Sequence, residues 1–528
     1  MKKKTGAIVM AGIVGVTTVF SMGTVWQPIG TGQIAHAKGI TVVANPTGEC
    51  GDGVTYIFSN GLLTISGNGK IANDAFKDAS DITSVVITDG VTGIGDAAFS
   101  GCSGLSSITI ADTVTTIGSC AFQDTKLTTL TLPESLTTLG AFVLKGNEGV
   151  KSLTIPRNVI TMQGNVGGYH GSLCESAVET VVFAEGIEKI PSQACQGAKS
   201  LVKVTLPGTV KTIQSYAFAD TAITELNIPE SVTEMEAYIL KGNTGVKSLT
   251  IPKNMTIMQS NAGGYHGSLC ESAVETVVFA EGMIKIPNQA CQGATSLTKA
   301  TVPVSVEAVG NDAMTGCKNV KIYCYRDSYI DEYALQNNIA YEYVGQAKDS
   351  IITAPNYTKT SSASKQDFKI ETKLEGLGVL SYSSDMAAVV VDQNGNVTIA
   401  PDFVGKATIT INVSSVGEYK AGLTKIVVNV KPAKTQISKI INKKKNKMVV
   451  KWTKKSKVTG YELQYSTDTK FKKGMKNVTV SGSKVASKTI SSLKRKKTYY
   501  VRIRTYKQVS GKTYYSDWST VKKVKVIK

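Results

Sequence analysis

The chain has 528 residues, 42% of them hydrophobic, and a formal net charge of +19. That length allows several domains or one elongated array with accessory modules, and composition alone does not choose between them. The charge is uneven: residues 434–528 hold 28 Lys and Arg against 3 Asp and Glu, a net +25, which leaves −6 for everything before them.

In chain order, Lys2, Lys3 and Lys4, the apolar run from Ala7 to Phe20 and the triplet Ala35-His36-Ala37 read as the basic, apolar and cleavage regions of a secretory signal. Residues 1–37 are therefore expected to be removed, leaving a chain that starts at Lys38 and works outside the cell. No second apolar run approaches the ~20 residues of a spanning helix. No cysteine sits at the cleavage site to take a lipid, and no LPxTG-like signal lies near the C-terminus. A secreted protein, associated with the surface non-covalently if at all, is the expectation.

Residues 38–81 form an N-terminal cap, and from 82 to 344 the chain repeats. Segments of the form apolar-x-x-apolar-x-apolar start at Ile82, Leu105, Leu127 and Val150, then at Val178, Leu201, Ile223 and Val246, then at Val274 and Leu297. The spacings run 23, 22, 23, 28 and then recur, so residues 82–177 and 178–273 are two copies of one 96-residue block. A unit this short cannot bury its own apolar face, so neighbours must stack. Strand alternation turns the first, fourth and sixth residues of each segment inward and the second, third and fifth outward or edgeward.

The unit, seen in "LSSITIADTVTTIGSCAFQDTK" and "LVKVTLPGTVKTIQSYAFADTA", resembles the bacterial BspA-like leucine-rich repeat over roughly residues 41–344. The resemblance implies a solenoid on an exported surface or adhesion protein, with no catalytic residues to transfer. Two departures stand out. The Phe of the Ala-Phe position becomes Cys195 and Cys291, and the fourth repeat of each block carries about five extra residues.

Residues 345–433 begin with a Ser/Thr-rich, linker-like stretch and continue as short alternating strands with an Asn-Gly hairpin turn, and they resemble a bacterial Ig-like domain. Residues 434–528 resemble a fibronectin type III domain, with Trp452 on the second strand and Leu493 six residues before Tyr499 in the tyrosine-corner arrangement. The fold class expected is thus mainly β, a leucine-rich-repeat solenoid followed by two β-sandwich domains.

Three features bear on function. Outward strand positions carry hydroxyls and lysines, among them Thr109, Thr131, Lys151, Thr154, Lys203, Thr205, Lys247 and Thr250. Ten coils at ~4.8 Å would make one continuous face suited to a protein or glycan partner. The second feature is "GGYHGSLCESA", present twice, whose Tyr169, His170, Tyr265 and His266 are candidate contacts in a projecting loop. A Cys–His nucleophile or a metal site is disfavoured there, because each copy offers one His and one Cys and the whole block is duplicated. Cys174 with Cys195, and Cys270 with Cys291, lie 21 residues apart. They are either disulfides between stacked coils or buried thiols standing in for Phe. The third feature is the +25 module, whose surface would attract polyanions such as anionic wall polymers, sulfated glycans or extracellular DNA.

The overall expectation is a monomeric secreted binding or adhesion protein. It has no catalytic site, cofactor or metal. A secreted enzyme-associated protein or a purely structural stalk is the alternative.

Overall fold

The computed structural model describes residues 47–162, 170–259, 266–443 and 446–527. The described residues are nearly all β, with one helix among them, and their N-terminal part is a β-solenoid of about 12 turns. The signal-like segment 1–37 and the loop residues Tyr169 and Tyr265 lie outside the described residues.

Most coils have a principal strand, a short second strand and a hydrogen-bonded turn. The principal strands pair in parallel with their repeats in register: Ser152, Thr180 and Lys203 align, as do Thr154, Val182 and Thr205. Inward residues behave as alternation predicts, with Val150, Leu153 and Ile155 at most 2% exposed. They join one core that runs from Cys50 to Ala334. The turn is a second stacking column, in which Phe99 N donates to Ala121 O, and Phe122 N to Val143 O. Its apolar side chains stack as well: Phe76, Phe99 and Phe122 lie 5.5 and 5.9 Å apart, nearly parallel. Cys195 and Cys291, both fully buried, take the same position in later coils.

The ends are closed rather than left open. A three-stranded antiparallel meander over Thr47–Gly51, Val54–Ser59 and Leu62–Gly67 starts the stack, with Tyr56 edge-on to Phe76 at 5.2 Å. At the other end the strand Lys321–Arg326, the helix Tyr329–Gln336 and the strand Ala340–Gln346 cover the last coil. Ser328 caps the helix by accepting from Asp331 N.

One expectation changes. The principal sheet is not continuous over ten coils, because Leu127–Leu132 and Ile223–Ile228 keep their inward side chains but are not strands. These are the segments that arrive after a 22-residue spacing. A buried asparagine serves the backbone there instead. Asn147, 1% exposed, donates to Thr125 O at 3.0 Å and Leu127 O at 3.1 Å, while its Oδ1 accepts from Val150 N at 2.9 Å. Asn243 repeats the arrangement one block later.

Beyond the solenoid are two sandwiches. The first packs a four-stranded sheet against shorter ones around Val389, Ile399, Ile409 and Val428. The Ser/Thr-rich start is not a linker: Ile351–Thr353 pairs with Lys373–Glu375, and Tyr357–Thr360 runs parallel to the strand Gly422–Lys431. The Asn-Gly turn is a hairpin held by Asp392, which accepts from Asn394 N and Asn396 N. In the second sandwich Trp452 packs on Tyr461 at 5.2 Å, and Tyr499 Oη accepts from Lys494 N at 2.9 Å, closing the tyrosine corner.

Removing the Asn147 amide strands buried donors and acceptors on both sides. Asn147→Leu is expected to lower the unfolding free energy by about 2–3 kcal/mol, against less than about 0.5 kcal/mol for exposed Thr129→Ala. Denaturant midpoints of the two variants check this.

Candidate functional site

Nine coils of the solenoid place left-handed backbone at one fixed position in the turn. Six of them use Asp74, Ala97, Cys120, Gln193, Gln289 and Asp312, at φ between 51° and 58°. Three others use an aromatic residue: Phe142 at 55°, Tyr216 at 60° and Tyr238 at 62°. Left-handed backbone is costly for a bulky side chain, and such strain gathers at functional positions. These rings are also only half-buried, so the core does not require them.

The rings form two clusters 96 residues apart. In the first, Phe142 lies 4.8 Å from the His170 ring, with Lys145 Nζ 5.1 Å from its centroid and 3.0 Å from Glu175. In the second, Tyr238 stacks on Tyr216 at 5.0 Å and 16°, and meets His266 at 5.0 Å. Lys241 Nζ sits 5.0 Å from its centroid and 3.0 Å from Glu271. His170 and His266, the two predicted loop contacts within the described residues, are therefore exposed members of an aromatic and charged stripe along the turn edge. Sequence reasoning missed Phe142, Tyr216 and Tyr238. Their signal was in the 96-residue alignment, where Cys120 matches Tyr216 and Phe142 matches Tyr238 at a position other coils give to Asp, Gln or Ala.

The neighbouring cysteines are not set up as nucleophiles. Cys174 Sγ lies 3.8 Å from His170 Nδ1, and Cys270 Sγ 3.9 Å from His266 Nδ1. Burial foremost, and then the adjacent Glu175 or Glu271 carboxylate, pushes each thiol above its ordinary range. A catalytic cysteine needs the opposite shift. All nine cysteines are free, so the pairs Cys174–Cys195 and Cys270–Cys291 are not disulfides in this structure. The reason is positional. Cys195 points into the core at the Phe position, whereas Cys174 lies one residue further along the turn, over Gly197, where an added Cβ would sit 2.5 Å from its Sγ.

On the principal sheet, Thr109, Thr154, Lys203, Thr205 and Thr250 are exposed on one face, and Lys151 and Lys247 are exposed just before their strands. Thr131 is exposed beside them on the unpaired third segment. Part of their polarity is satisfied internally: Lys151 pairs with Glu179 at 3.1 Å and Lys247 with Glu275 at 2.8 Å. A shallow groove lined by Lys203, Thr205, Glu225 and Asn227 opens where the ladder is interrupted.

In the terminal module all three acids are engaged. Glu462 pairs with Arg504, Asp468 accepts from the backbone of Lys470, Lys472 and Lys473, and Asp517 pairs with Lys431. Arg502 and Arg504 lie among Phe471, Trp518 and Tyr515 at 3.8–4.6 Å from the ring centroids. These two arginines serve the fold, and the exposed positive groups are lysines together with Arg495. Among the described residues no helix is long and apolar enough to cross a membrane.

A family model of the BspA type leucine rich repeat region, in six copies, matches residues 69–167, 169–269 and 265–386, and the fibronectin type III domain model matches residues 433–522. Among solved structures, the chain is similar to a leucine-rich repeat protein from Eubacterium ventriosum, with 22% identity, 53% of this chain and 90% of that one covered, and a TM-score of 0.32. A leucine-rich repeat protein from Bacteroides ovatus gives 17% identity, 58% and 91% coverage, and a TM-score of 0.35. The pneumococcal vaccine antigen PcpA gives 14%, 58% and 100%, and 0.28. None of the curated proteins compared matches the chain.

The buried thiols make stability sensitive to alkali. Burial pushes the fully enclosed Cys195 up to about 12 from an ordinary 9.0, and Cys291 in the same direction. The folded thiol keeps its proton where the unfolded one releases it, so this contribution is complete below pH 9 and lost as pH rises toward 12. The melting temperature is expected to fall over that range, less steeply in Cys195→Ala/Cys291→Ala, and nine thiols should titrate once the chain is denatured.

Proposed function

The chain belongs to the family of BspA-type leucine-rich repeat proteins, and from that membership we propose that it is a non-catalytic binding protein working outside the cell. The solenoid engages a partner, and the lysine-rich terminal module holds anionic polymer at or beyond the cell surface. The observation that carries the first half is the aromatic edge. Phe142, Tyr216 and Tyr238 occupy left-handed positions that Asp or Gln fill elsewhere at lower cost, and they stay accessible.

The edge favours a protein partner over a sugar. Sugar stacking needs an open ring face, yet Tyr238 is flanked by Tyr216 from one neighbouring coil and His266 from the other. What remains outward are ring edges, imidazoles and the Lys–Glu pairs, a mixed surface of the kind that protein interfaces favour. The adjoining hydroxyl face, with its interrupted ladder at Lys203 and Glu225, extends the area available.

Substituting glycine at the three aromatic positions relieves the backbone strain while removing the rings. Phe142→Gly/Tyr216→Gly/Tyr238→Gly is therefore expected to keep its melting temperature within about 4 °C, equivalent to roughly 1 kcal/mol. Its binding to extracellular-matrix proteins on an array should fall at least tenfold. Hits of the unaltered chain that persist undiminished in the variant would remove the edge from consideration. Hits lost only on altering Thr131, Lys151 and Thr154 would move the site to the sheet face.

A further inference from the structure

The terminal module contains a three-stranded sheet, Ile437–Lys443, Lys447–Trp452 and Ser487–Ile490, with one face on the module's core through Met448, Val450 and Ile490. The other face is open. On it Lys439 stands directly opposite Lys451, with Ser487 beyond, and Lys443 stands directly opposite Lys447. All four lysines are exposed. Between the two rows lies an uncharged one, half-buried Ile441 opposite Val449, with Thr489 beyond.

Like charges placed directly opposite each other on paired strands destabilise the pair. Nothing on the module compensates, because its three carboxylates are committed elsewhere, and among the described residues none of these four lysines enters an ion pair. Two repulsive rows on one face are a stability cost that a bound anion removes.

We propose that this face is where the module binds its polyanion, and that the ligand is a linear phosphodiester polymer with uncharged polyol units between its phosphates; the proposal rests on the reading of the module as polyanion-binding given above. Four features favour that class. The lysine rows are four residues apart along the strand, about 13 Å, and the row between them has no charge to match an anion. The rows are wider apart than successive phosphates of a glycerol phosphate chain, and its flexible backbone can turn the intervening phosphate away from Ile441 and Val449, as a stiff ring chain with an anion on every unit cannot. The site is all lysine, a point charge suited to a flexible chain of monoanions, and lacks the planar fork of arginine. The face also carries no aromatic ring on which a base could stack and no helix to enter a duplex groove.

The test uses the whole protein against immobilised poly(glycerol phosphate), with heparin and duplex DNA as competitors at equal anionic charge. Lys439→Gln/Lys443→Gln/Lys447→Gln/Lys451→Gln is compared with a variant of equal charge change on the opposite sheet and its loop, Lys470→Gln/Lys472→Gln/Lys473→Gln/Lys476→Gln. The expected result is tenfold or greater loss of affinity for the first variant at 50 mM salt, with the slope of log K against log salt reduced by about 3. The second variant should lose less than threefold. The first variant should also melt no lower than the unaltered protein at low salt, since it relieves repulsion. Equal losses in both variants would overturn the face while leaving the module's polyanion binding intact. Stronger competition by heparin or DNA than by free poly(glycerol phosphate) would overturn the ligand class. No binding by the unaltered protein at low salt would overturn this proposal and the reading beneath it.

Discussion

No coil of this solenoid buries its own apolar face, and everything else in the N-terminal two-thirds follows from that. Leu153 is covered because Val181 lies beside it in the next coil, and Phe99 because Phe76 and Phe122 lie above and below. The backbone obeys the same rule, since most amides of a coil donate to the carbonyls of a neighbour. Where the strand ladder lapses, at Leu127–Leu132, a buried asparagine must serve the exposed carbonyls. At the ends, where no neighbour exists, the chain supplies a meander and a capped helix.

Because the inside is committed to stacking, its changes stay apolar, as from Phe99 to Cys195, and the freer variation lies on the outer surfaces. The turn edge is the most revealing of them. Its left-handed positions are structurally indifferent to side-chain chemistry but sensitive to side-chain bulk. Small or polar residues are the low-energy solution, and most coils adopt it. Phe142 and Tyr238, 96 residues apart, depart from it beside His170 and His266, and Tyr216 joins the second of them. The departure makes a surface of rings and ion pairs where the fold needs only a turn.

The charge is segregated by the same logic of commitment. The few acids of the terminal module are used locally or at its boundary, where Asp517 meets Lys431 and Lys457 meets Asp402 of the preceding sandwich. At the other joint, Glu281 of the solenoid meets the backbone of Gly417. The three parts are thus linked by specific polar contacts, and the lysines of the open sheet face are left with each other as neighbours.

Repeat length, the two blocks, the inward set at Val150, Leu153 and Ile155, the Cys195 substitution for Phe and the tyrosine corner at Tyr499 were all legible in the sequence. Each depends on periodicity or on spacing within one strand or corner, which a linear chain records directly. The break in the sheet was not legible, because it turns on whether backbone groups 20 residues apart meet in register. The disulfide question could not be decided either, since a spacing of 21 residues says that Cys174 and Cys195 are in adjacent coils but not that they sit one position apart around the turn. The aromatic edge and the opposed lysines are of the same kind. Tyr216, Tyr238 and His266, or Lys439 and Lys451, are distant in the chain and ordinary one by one; only the stacking of coils and the pairing of strands put rings against rings and charge against charge.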